Sequence, residues 1–108
     1  MKMHALVIHA PRSKCDPVQG NCFANYFRTG VGRGYVVGPA NVNRLTIPGS
    51  PLVLLDKEAK LRAEGHLIRL ARGARTPQQR YDVYFEGQRR VPYKPEILNH
   101  YGVALLDC

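Results

Sequence analysis

Four consecutive apolar residues, Leu52, Val53, Leu54 and Leu55, follow a Pro48-Gly49 turn. A short run without polar alternation predicts a strand buried on both faces. The next segment alternates. Leu61, Ala63 and Leu67 stand at odd positions with Gly65 in series, and Arg62, Glu64 and His66 stand between them. Period two predicts a strand with one wet face over residues 61–70, after a turn at 56–60. A helix from an Asp56 N-cap to Gly65 is the local alternative. It would be short, and Leu61 would point away from Ala59 and Ala63. The adjacent pair Leu67 and Ile68 marks a bulge or burial on both faces.

The same reading extends along the chain. The run His4-Ala5-Leu6-Val7-Ile8-His9 predicts a buried strand ended by Pro11. Residues 12–20 lack periodicity and predict a loop. Asn21 can cap a helix over 22–28, on which Phe23, Tyr26 and Phe27 share one face. Thr29-Gly30 ends that helix. Tyr35-Val36-Val37 predicts a short strand and residues 40–45 a turn of helix. Residues 71–79 predict a loop around Gly73 and Pro77. Residues 80–86 alternate, with Tyr81, Val83 and Phe85 on one side and Asp82, Tyr84 and Glu86 on the other. Glu86-Gly87 predicts a hairpin turn into a strand over 88–93, which Pro92 makes an edge. A helical turn follows over 95–101. Residues 103–106 predict a last strand, expected to pair near residues 5–8 and close a barrel.

Composition changes this picture mainly through charge. The 108 residues fit one domain over 1–108, large enough to fold without staples. Trp is absent and Phe occurs three times, so the core rests on Val, Leu, Ile and Tyr. The 16 basic and 8 acidic residues give a net charge of +8. Arg outnumbers Lys, and Arg binds phosphate and guanine in a planar fork and stacks on bases. That excess points to a polyanionic partner. Cys15, Cys22 and Cys108 do not form a disulfide framework by number or spacing. No apolar run approaches the roughly 18 residues of a membrane span. A reduced cytoplasmic protein is expected.

At Ile47-Pro48-Gly49-Ser50-Pro51-Leu52-Val53-Leu54-Leu55 and Ala63-Glu64-Gly65-His66-Leu67-Ile68 the chain resembles the PUA-like superfamily, which includes the PUA, ASCH and EVE domains. Many members share a Pro-Gly-Asp turn, an apolar strand and a strand near a Gly. Ser50 departs from that pattern, where Asp is commoner. The Gly-x-Lys-x-x-Glu pattern of ASCH domains is missing, and Gly30-Val31-Gly32-Arg33-Gly34-Tyr35 stands in its place. The resemblance implies a small pseudo-barrel with a cleft for RNA or a modified base. The expected fold is α+β, mainly β, with about six strands and one or two short helices.

Arg69, Arg72, Arg75 and Arg80 form one basic run, and Arg89, Arg90 and Lys94 a second. If the two lie together they make one phosphate-binding surface. Tyr84 is the best placed aromatic for stacking a base, and Tyr35 is a second. Tyr26, Phe27 and Tyr93 suit packing better. Gly30 to Gly34 could approach a phosphate with Arg33 adding charge, although a plain connector explains the glycines as well. Cys15, Cys22, His4 and His9 lack metal-ligand spacing, so no metal or other cofactor is expected. Cys22 or Cys15 with a His and Asp16, or Glu64 with His66, could be drawn as catalytic groups, but no spacing places them together. The expectation is a non-enzymatic, monomeric or weakly dimeric module that binds RNA or DNA. Its site is Arg33, Arg69, Arg72, Arg75, Arg80, Arg89, Arg90, Tyr35 and Tyr84. A small hydrolase on the same barrel and a protein-interaction module with edge strand 88–93 are the alternatives.

Overall fold

The computed structural model describes residues 4–11, 22–72, 80–99 and 102–107. The elements run β1 (His4–His9), α1 (Phe23–Thr29), β2 (Val31–Val36), α2 (Pro39–Arg44), β3 (Pro51–Asp56), β4 (Leu61–Arg72), β5 (Arg80–Val91) and β6 (Val103–Asp107). The six strands form one curled sheet in the order β2-β5-β4-β3-β1-β6, a half-barrel with two short helices. β1 and β3 are parallel, and the other neighbours are antiparallel. β6 pairs with β1 as its pattern predicts, Ala5 opposite Leu106 and Ile8 opposite Val103. The sheet stays open, with β2 and β6 at its edges.

The apolar run of β3 sits at the middle of this sheet and is buried on both faces. On the first face Leu6, Ile8, Leu52, Leu54, Ala63, Val83 and Phe85 pack under Phe23 and Tyr26 of α1. On the second, Val7, Val53 and Leu55 pack under Tyr93 and Leu98. The periodic residues of β4 and β5 face the first core, as the alternation predicts. Tyr35 lies in that core, 7% exposed, and its hydroxyl donates to the His9 carbonyl at 2.7 Å. Burial raises its pKa well above the usual phenol value.

The turn into β3 holds a cis Ile47–Pro48 bond and Gly49 at φ +133°. Ser50 is fully buried there. Its Oγ accepts the Thr46 N–H at 2.7 Å and its carbonyl accepts the Leu67 N–H at 2.8 Å. A hydroxyl thus closes the turn from the position where the resemblance expects Asp. At the other end of β3, buried Asp56 accepts the Glu58 and Ala59 N–H groups and forms the turn into β4. The strand reading of residues 61–70 holds, and the helix alternative does not.

Three local expectations are corrected. Glu86-Gly87 is not a hairpin turn, because β5 continues to Val91 and pairs with β4 on both sides of it. The segment 92–99 is neither edge strand nor helix but an irregular cover on the second face. Gly30 to Gly34 is not a connector, since β2 starts at Val31. Cys22 is disulfide-bonded, so it is not reduced, and Cys15 and Cys108 lie outside the described residues. The predicted loop 12–20, Asn21 and most of loop 71–79 also lie outside them, and α1 starts one residue later than expected, with Cys22 and not Asn21 at its N-cap position. No helix among the described residues is long and apolar enough to cross a membrane.

The β4–β5 ladder carries two bulges. Between Glu64↔Arg89 and His66↔Glu86 the register gives β5 an extra residue, and between Leu67↔Phe85 and Arg69↔Tyr84 it gives β4 one. The first bulge holds Gly87 at φ +68° opposite Gly65. A Cβ on Gly65 would lie 2.7 Å from the Glu86 carbonyl oxygen and 3.2 Å from the Gln88 backbone. Gly65→Ala must therefore open the ladder, and we expect a loss of about 2–3 kcal/mol in urea unfolding. Gly87→Ala meets only the exposed His66 ring at 2.7 Å. It should cost about 1 kcal/mol, mostly for the left-handed backbone.

His9 supplies a second check. Its Nε2 accepts the Lys57 N–H at 3.2 Å, which requires the neutral ring. Burial lowers its pKa below 6.5, against the opposing pull of Asp56. The unfolded chain then binds more protons than the folded one just below pH 6.5, so stability falls on acidification through that window. Urea midpoints at pH 7.5 and pH 5.5 should differ, and the difference should shrink in His9→Gln.

Candidate nucleic-acid interface

The bulges decide which side chains meet on the second face. Arg62, Glu64 and His66 alternate there along β4. The extra residue near Ile68 then shifts the phase, so that Arg69 and Ala71 join them instead of Leu70. On β5 Arg80, Asp82, Tyr84 and Glu86 share the face. The bulge at Gly87 shifts the phase again and brings Arg89 onto it. Strict alternation would have put Arg69 and Arg89 with the core residues.

One group forms where β2, β5 and β4 lie side by side. The Arg69 guanidinium lies 4.3 Å from the centroid of the half-buried Tyr84 ring. Asp82 receives the Gly34 N–H at 3.1 Å and the Arg33 guanidinium at 3.3 Å. Arg80 Nη1 donates to the Gly34 carbonyl at 2.7 Å. The Gly34 amide is thus committed to Asp82, which leaves no phosphate-binding glycine loop here. Of the expected site residues, Arg33, Arg69, Arg80 and Tyr84 lie on adjacent strands of this face.

Other predicted members are placed elsewhere. Arg90 lies over the Phe23 ring at 5.3 Å, on the α1 side of the sheet. Arg72 pairs with Tyr81, a residue that packs on the α1-side core, so its register position is on that side too. The buried Tyr35 ring presents no face to a base, which corrects its place in the site. Arg75 lies outside the described residues. The two basic runs do not merge, because Arg89 stands opposite Glu64, toward the other end of the β4–β5 ladder.

Arg89 instead borders a cleft of about 530 Å³ on the second face. Its walls are Pro51 and Val53 of β3, Leu106 of β6, and Arg62, Glu64 and His66 of β4. Sequence reasoning missed Arg62 as a site residue. Its side chain is only 8% exposed and is held by three oxygens. Nε faces Glu64 at 3.3 Å, while Nη1 donates to the Lys94 carbonyl at 3.0 Å and faces Glu96 at 3.8 Å. The available signal was a basic residue two positions before an acid on one strand face, but its anchor lies over 30 residues away. Arg89 reaches the second Glu64 oxygen at 4.0 Å. His66 faces Glu86 at 3.7 Å.

The catalytic sketches gain nothing from this geometry. Cys22 is buried and disulfide-bonded. Glu64 is turned to two guanidinium groups, not to His66. Among the described residues no group of three or more His, Cys, Asp or Glu could hold a metal ion. Comparison with known families, curated proteins and solved structures finds no match for the chain.

Removing one partner of a buried pair leaves the other charge uncompensated. Arg62→Ala should therefore destabilise the protein by about 3 kcal/mol. Glu96→Gln added to it should restore part of that loss in the same unfolding assay, because the carboxylate at Glu96 is equally buried.

Proposed function

We propose that this chain is a non-enzymatic nucleic-acid-binding module that takes single-stranded RNA or DNA on the open half of the second sheet face. The observation that carries the reading is the Arg69–Tyr84 stack, flanked by Arg33 and Arg80. A planar guanidinium centred 4.3 Å over an aromatic ring offers its outer side to a base, and stacking of that kind tolerates any base. The flanking cations suit the backbone phosphates. The net charge of +8 supports a polyanion as partner. The half-barrel with a cleft beside β3 has the form that the PUA-like resemblance implies, and this supports membership of that superfamily. Asp82 opposes phosphate binding, but the Arg33 guanidinium and the Gly34 N–H already engage its two oxygens.

Fluorescence anisotropy with short labelled strands at two salt concentrations tests the reading. Affinity should fall with salt, with a slope near −0.7 per phosphate contact, roughly −1.4 for the two flanking arginines. Arg69→Ala and Tyr84→Ala should each weaken binding about tenfold. Arg90→Ala removes the same charge from the opposite face and should change affinity by less than about twofold. No binding at low salt, or equal losses in all three variants, would overturn the proposal.

A further inference from the structure

The open face does not run the length of the sheet. Residues 92–99 lie across it, with Tyr93 and Leu98 packed on Val7, Val53 and Leu55. The Lys94 carbonyl fixes the Arg62 guanidinium beside that cover. The cleft lies between the cover and the Arg69–Tyr84 stack. A strand that lies on the stack and follows β4 toward Arg62 travels seven residues, about 23 Å, and meets a wall.

We propose that the cleft seats the terminal nucleotide of a bound single strand, so that the module recognises strand ends. This rests on the nucleic-acid reading of the Arg69–Tyr84 stack and adds which part of the strand is bound. A path along β4 that is walled at its Arg62 end by residues 92–99 favours a chain end over a continuous strand. The cleft volume of about 530 Å³ is that of a small-ligand pocket. Pro51 and Leu106 give it an apolar side for a base. The exposed Arg89 and His66 give it a polar side for a phosphate. Glu64 also lines it with its two carboxylate oxygens facing Arg62 and Arg89, while Glu96 faces Arg62 and Glu86 faces His66. A phosphate therefore binds here by displacing carboxylates from the exposed Arg89 and His66. Arg62 is held rigidly by its three oxygens, whereas Arg89 is 75% exposed and His66 52% exposed. The fixed cation sets the end of the groove, and the two exposed groups are the ones able to close on a ligand.

The test compares a linear single strand with a circular one of identical sequence, by competition against a labelled linear strand. The linear strand should bind about tenfold tighter, the worth of one charge-assisted hydrogen-bonded contact. In Arg89→Ala and in the double variant with His66→Ala that ratio should fall toward one. Both side chains are exposed, and urea unfolding checks that each variant is folded. Equal affinity of the two strands for the unmodified protein would overturn end recognition and leave the stack reading in place. A preference for ends that survives in the double variant would place it outside the cleft and overturn the proposal too. Failure of both strands to bind would overturn this inference together with the proposed function.

Discussion

Burial of β3 on both faces is the constraint on which the rest of the structure depends. A central strand of Leu-Val-Leu-Leu leaves no wet side, so both faces of the sheet must be covered. The described chain has little to cover them with. α1 has seven residues and covers the first face with Phe23, Tyr26 and Phe27. The second face receives only the irregular segment 92–99, anchored by Tyr93, Leu98 and the Arg62 hydrogen bond to Lys94. That segment is long enough to cover β1, β3 and the start of β4. Among the described residues nothing covers the remainder of the face, and the cleft and the Arg69–Tyr84 stack occupy it. The candidate interface is thus a consequence of incomplete cover over a sheet that needs two covers.

The second determinant is the phase of the β4–β5 ladder. Each strand carries one extra residue, and the two offsets cancel in register while each turns its own strand. A strand shifted by one residue exchanges its faces. Here the exchange moves Arg69 and Arg89 away from the core side and moves Arg90 onto it, against Phe23. The glycine pair at Gly65 and Gly87 makes the first offset sterically possible, because the two backbones approach too closely there for a Cβ on Gly65.

Charge is distributed accordingly. Arg62 is a structural cation, enclosed with Glu96 and fixed by backbone. Arg33 is held loosely by an exposed pair with Asp82, and such pairs contribute little to stability. Arg90 covers an aromatic ring of the core. The +8 balance is therefore not one uniform patch. The arginines on the open face can exchange their present partners for phosphate at small cost, and the buried one cannot.

The element types were legible in sequence wherever periodicity was strong. The doubly buried β3, the alternation of β4 and the first half of β5 and the aromatic face of α1 all follow from spacing, because burial acts residue by residue. Gly87 was misread, since a glycine between two apolar-polar runs marks a hairpin turn and a bulge equally well. Only pairing with β4 decides between them. The 92–99 cover was illegible for a related reason, as its conformation is set by what lies beneath it and not by local propensity. Tyr35 and Tyr84 look alike in sequence, and the β2–β5 bulge and the core decide that one is enclosed and the other carries a guanidinium. Composition by itself determined that this chain is basic with an excess of arginine, and periodicity that it is rich in strands. Which arginines share a face was decided only in the tertiary structure, because a single extra residue in a strand reverses every side chain beyond it.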